Sequence, residues 1–66
     1  MQLLINGTPT EIPADFTARQ LVEHLDVVGK RVALEVNGQI VPRSGYADHR
    51  LKEGDKVEIV HAIGGG

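Results

Sequence analysis

A chain of 66 residues with a formal net charge of -2 makes one small acidic unit, and units of this size bury only about 60% of the surface their unfolded chain exposes. Its 41% apolar and 24% charged residues are the balance of a folded domain, and the seven Lys and Arg are too scattered (only Lys30 and Arg31 are adjacent) to line up against nucleic-acid phosphates. Cysteine is absent, which excludes disulfides and thiolate metal sites. No stretch has the basic start and apolar run of a signal peptide or the length of a membrane span. The expectation is a single domain over residues 1–66, soluble, cytoplasmic and monomeric when free, with neither membrane nor nucleic acid as a partner.

Met1 to Asn6 is apolar with some alternation, and Asn6-Gly7 signals a tight hairpin turn. A short second strand, Thr10 to Ile12, returns on the first and ends at Pro13, since proline cannot donate to a ladder. Thr17 and Gln20 have the spacing of a capping box, and Phe16 and Leu21 that of a hydrophobic staple. Ala18, Leu21, Val22 and Leu25 then recur on one face of a helix, predicted over Ala18 to about Val27. Gly29 is placed to stop it, with Lys30 and Arg31 at its negative end.

Val32, Leu34 and Val36 alternate with Ala33 and Glu35, as in a strand buried mainly on one face. Asn37-Gly38 signals a second tight turn, and Gln39 to Val41 returns as a strand closed by Pro42. Ser44 to Arg50 reads as irregular or a brief helical turn, anchored by Tyr46 and Leu51, and Lys52 to Asp55 as a turn. Val57 and Ile59 define the inner face of a last strand reaching about Ile63. The order strand, strand, helix, strand, strand, strand predicts an α+β domain: a mixed sheet of four to five strands with one main helix on one face. The first and last strands are the most apolar and should lie parallel at its centre, which is the β-grasp, or ubiquitin-like, arrangement. The expected core is Leu3, Ile5, Leu21, Val22, Leu25, Leu34, Val57 and Ile59.

No catalytic or metal-binding pattern emerges. His24, His49 and His61 fall on a helix, a loop and a strand without ligand spacing, and read as solvated or half-buried imidazoles. Ser44, the single serine, has no nucleophile-elbow context. Glu23, Asp26, Glu53 and Asp55 are explained as solvated faces and turn caps. No bound cofactor or metal is expected.

Gly64, Gly65 and Gly66 remain, read as an exposed tail over residues 63–66. Three extended residues reach roughly 10 Å. Lacking Cβ atoms, they pass through narrow channels and adopt angles closed to other residues. A frayed end or an expression scar gives the same composition; the functional reading is a tether delivering the Gly66 carboxylate into another protein's active site. With Val57 and Ile59 facing inward, Val60 and Ala62 should face outward near Leu4 and Ala33. These four then form an apolar patch for docking a partner, against the alternative of isolated surface residues.

The start MQLLINGTP, the segments NGQIVPR and EGDKVEIVH and the terminal IGGG together resemble the ThiS family, the β-grasp sulfur carriers of thiamine biosynthesis, over essentially the whole chain. The resemblance implies a carrier that is not itself an enzyme. An E1-like adenylyltransferase would use ATP to adenylate the Gly66 carboxylate, with Gly64 and Gly65 threading its channel. A protein persulfide donor would convert the adenylate to a thiocarboxylate, and thiazole synthase would receive the sulfur to build the thiazole of thiamine. The alternatives are the small subunit of molybdopterin synthase, which tends to reach its diglycine through a proline-bearing tail, a ubiquitin-like modifier joined through Gly66 to lysines, and an inert or RNA-binding adaptor.

Overall fold

The computed structural model describes residues 1–26 and 32–61. Strands β1 (Gln2–Ile5) and β2 (Thr8–Glu11) form a hairpin, followed by helix α1 (Ala18–His24) and a second hairpin of β3 (Val32–Val36) and β4 (Gln39–Val41). A 3-10 segment, Arg43–Asp48, leads to the last strand, β5 (Lys56–His61). The sheet order is β2-β1-β5-β3-β4, with β1 and β5 parallel and every other pair antiparallel. The apolar outer segments of the sequence thus lie side by side near the middle of the sheet, as expected of a β-grasp domain.

Both hairpin turns follow from their residues. Asn6 and Gly7 have φ of 50° and 83°, and Asn37 and Gly38 have 53° and 83°. Two successive positive values suit the right-handed twist of the strands, and Asn-Gly adopts them at little cost. This tight turn sets Thr8 directly opposite Ile5, so the second strand is Thr8–Glu11 rather than the expected Thr10–Ile12. Pro9 is accommodated because β2 is an edge strand. Ile12 follows the strand, is buried, and donates its N–H to the Met1 carbonyl at 2.8 Å.

The capping box at the start of α1 is formed: Gln20 N–H donates to Thr17 Oγ1 at 3.2 Å, and Thr17 N–H donates to Gln20 Oε1 at 2.9 Å. The helix is shorter than expected. It ends at His24 with Leu25 as its cap, and Asp26, three residues before the expected stop at Gly29, takes the left-handed conformation at φ 58°. A short polar side chain tolerates that geometry, so an aspartate terminates the helix before the glycine. Val27, Gly29, Lys30 and Arg31 lie outside the described residues.

The core joins the inner sheet face to the helix. Leu3, Leu21, Leu34 and Val57 are fully buried, and Val22 and Ile59 nearly so, while Ile5 and Leu25 pack half-buried at its margin. Val36, Val41, Tyr46 and Leu51 complete it. The segment entering α1 is tied to the one leaving the 3-10 turn: Ala18 N–H donates to the His49 carbonyl at 2.8 Å, and Leu51 N–H to the Phe16 carbonyl at 2.9 Å.

Candidate functional site

Strand β5 carries the chain toward the glycines, and its two flanks are held differently. On one side it pairs with all of β3, from Val36 opposite Val57 to Val32 opposite His61. On the other, parallel pairing with β1 covers only Leu4–Lys56 and Ile5–Val57, because β1 turns away at Asn6. Asn6 continues the ladder from there. Its N–H donates to the Val57 carbonyl at 2.8 Å, its Oδ1 accepts the Ile59 N–H at 2.8 Å, and its Nδ2 donates to the Ile59 carbonyl at 3.3 Å. Asn37 does the same beyond the end of β3: its N–H donates to the Lys56 carbonyl at 2.7 Å and its Oδ1 accepts the Lys56 N–H at 3.0 Å. The sequence marks both asparagines as turn residues; nothing in a single sequence marks their second role, which depends on which strand lies beside the turn.

Of the expected docking residues, the structure brings Ala33 and Val60 together, directly opposite each other across β3 and β5 and both exposed. Leu4 is not with them. It is aligned with Lys56, four residues before Val60, or about 13 Å along the strand. Ala62 lies outside the described residues, as do Gly64, Gly65 and Gly66. Ile40, which the sequence reading did not assign to a face, is on the same side: it is opposite Glu35, which is opposite Glu58. At 71% and 52% exposed, Ile40 and Val60 are the exposed large apolar residues of the described chain. Val41, the next residue along β4, is buried, and the alternation of side chains along a strand therefore turns Ile40 outward.

Elsewhere, chemistry is sparse. Among the described residues no three His, Cys, Asp or Glu side chains gather as a metal site would require. His24 is exposed and set edge-on to Phe16, with centroids 5.9 Å apart. Asp55, the buried charged residue among those described, is consumed in structure: Oδ1 accepts from Asn37 Nδ2 at 2.9 Å and Oδ2 from the Lys52 N–H at 2.8 Å. An open depression between β4 and the 3-10 segment, lined by Ile40, Pro42, Asp48 and His49 among others, brings no catalytic pair together.

The ThiS family model matches residues 3–66. The chain is 38% identical to the sulfur carrier protein ThiS of Escherichia coli, with both chains covered in full. It is 46% identical over all 66 residues to a thiazole synthase of Paramagnetospirillum magneticum, of whose length it spans 20%. A crystal structure of the thiamine biosynthesis protein ThiS from Geobacter metallireducens superposes with a TM-score of 0.88 at 30% identity, again with both chains covered in full.

Proposed function

The chain belongs to the ThiS family, and we propose on that premise that it carries sulfur for the thiazole moiety of thiamine, with the Gly66 carboxylate as the carrying group. A carboxylate is a poor electrophile. An E1-like adenylyltransferase supplies the leaving group: a Gly66 oxygen attacks the α-phosphorus of ATP, pyrophosphate departs, and an acyl adenylate forms. The terminal sulfur of a protein persulfide then attacks the acyl carbon and AMP leaves. A thiol cleaves the resulting acyl disulfide, so that the thiocarboxylate stays on Gly66 and the donor leaves in a disulfide. Thiazole synthase takes the sulfur. Gly64 and Gly65 are the segment that threads the partner channel. The chain is a co-substrate in these steps, and the bond-making groups belong to its partners.

The observation carrying this reading is the family match itself, which runs through the final glycines and takes in the full length of a named sulfur carrier. The matches to a fifth of the length of two thiazole synthases support that enzyme as the acceptor. The test is capture from a lysate of the source cell by a tagged chain with a free C-terminus. Thiazole synthase and an E1-like adenylyltransferase should be retained. Retention of a molybdopterin-synthase large subunit in place of thiazole synthase would contradict the assignment.

A further inference from the structure

A strand inside a sheet has two flanks of peptide groups to satisfy. For β5 the β1 flank lacks backbone beyond Val57, because the chain reverses at Asn6-Gly7. Asparagine suits this place for two separate reasons. It tolerates the φ of 50° that the turn needs. Its side chain also carries one amide, with an acceptor and a donor disposed like those of a peptide group. Both are used on a single residue, Ile59, through Oδ1 at 2.8 Å and Nδ2 at 3.3 Å. Aspartate would keep the acceptor and lose the donor; glycine would keep the turn and lose both.

Ile59 lies two residues before the end of β5, which is the segment leading to Gly66. We propose that Asn6 is a positioning residue for the tail: its carboxamide stands in for the missing β1 backbone and fixes the line on which the chain leaves the sheet toward a partner's active site. The functional part of this inference rests on the carrier reading. A displacement of about 1 Å in a reacting group is enough to cost on the order of a hundredfold in rate, so a strand end held on only one flank delivers its carboxylate less productively. Asn37 is the internal comparison. Its Oδ1 accepts the Lys56 N–H at the opposite end of β5, while its Nδ2 is taken by Asp55.

The experiment compares Asn6→Gly with Asn37→Gly, each of which keeps a residue at ease with positive φ. Amide hydrogen exchange and the kinetics of Gly66 adenylation by the E1-like enzyme are measured well below melting. In Asn6→Gly the Ile59 amide should exchange at least about tenfold faster, and kcat/KM for adenylation should fall by about tenfold or more. In Asn37→Gly the Lys56 amide should quicken, Ile59 should hold, and adenylation should stay near wild type even where stability drops further. Unchanged Ile59 exchange in Asn6→Gly overturns the proposal, as does a fall in adenylation that tracks lost stability equally in both variants. Failure of the wild-type chain to be adenylated would instead remove the carrier reading, and the exchange comparison, which needs no partner, would then decide the role of Asn6.

Discussion

Asn37 Nδ2 donates to Asp55 Oδ1 at 2.9 Å, joining the turn between β3 and β4 to the residue that precedes β5. The other Asp55 oxygen accepts the Lys52 N–H at 2.8 Å, so this buried carboxylate closes the turn over Lys52–Asp55 as well. Truncation would leave two donors without their acceptor. Asp55→Ala should cost about 1.5–3 kcal/mol in urea unfolding, the range for hydrogen bonds to a charged group. Asp55→Asn should also destabilise, because its NH2 must face one of the two donors. A neutral result for both would remove this clasp from the account.

The helix offers a graded test. Thr17→Ala removes the side-chain cap on Gln20 N–H and should cost about 1 kcal/mol. Leu21→Ala empties a fully buried position and should cost about 2–5 kcal/mol. Leu25 is half-buried at the margin, so Leu25→Ala should cost clearly less than Leu21→Ala. Equal losses at Leu21 and Leu25 would contradict the observed end of the helix.

Across β3 and β5, Glu35 and Glu58 stand directly opposite each other on the outer sheet face, beside Ala33 and Val60. Like charges in this position are destabilising. Glu58→Lys should therefore raise stability by about 0.2–1 kcal/mol in denaturant unfolding. Val60→Asp should cost only about 1 kcal/mol, since Val60 is 52% exposed, the loss coming from aspartate's poor fit to a strand and its place beside Glu58. On the docking reading it should weaken capture of thiazole synthase, and unimpaired capture would contradict that use of this face.

Most of what is legible in the sequence is set by short-range chemistry. Asn6-Gly7 and Asn37-Gly38 announced turns through their tolerance of positive φ, and Thr17 with Gln20 announced the helix start. The central β1–β5 pair was legible because burial on the inner face leaves those segments apolar. The end of the helix was not, since the apolar spacing continues to Leu25 while Asp26, a less usual terminator than Gly29, takes the left-handed turn. The separation of Leu4 from Val60 depends on the stagger of two strands distant in sequence, which no local pattern encodes. The same holds for Asn6 and Ile59, whose contact spans the domain from its first turn to its last strand.

The carrier reading as a whole turns on the Gly66 carboxylate. Deleting Gly66 moves the terminal carboxylate back by about 3.5 Å, which is outside the tolerance of an in-line attack on ATP. Gly65→Val adds a β-branched side chain to the threading segment. The deciding measurement is intact-mass spectrometry of the wild-type chain and these two variants after incubation with the E1-like enzyme, ATP, a persulfide donor and a thiol reductant. The wild-type chain should gain the mass difference of one sulfur replacing one oxygen, and neither variant should. Conversion of the Gly66 deletion to the same extent as wild type would contradict the account.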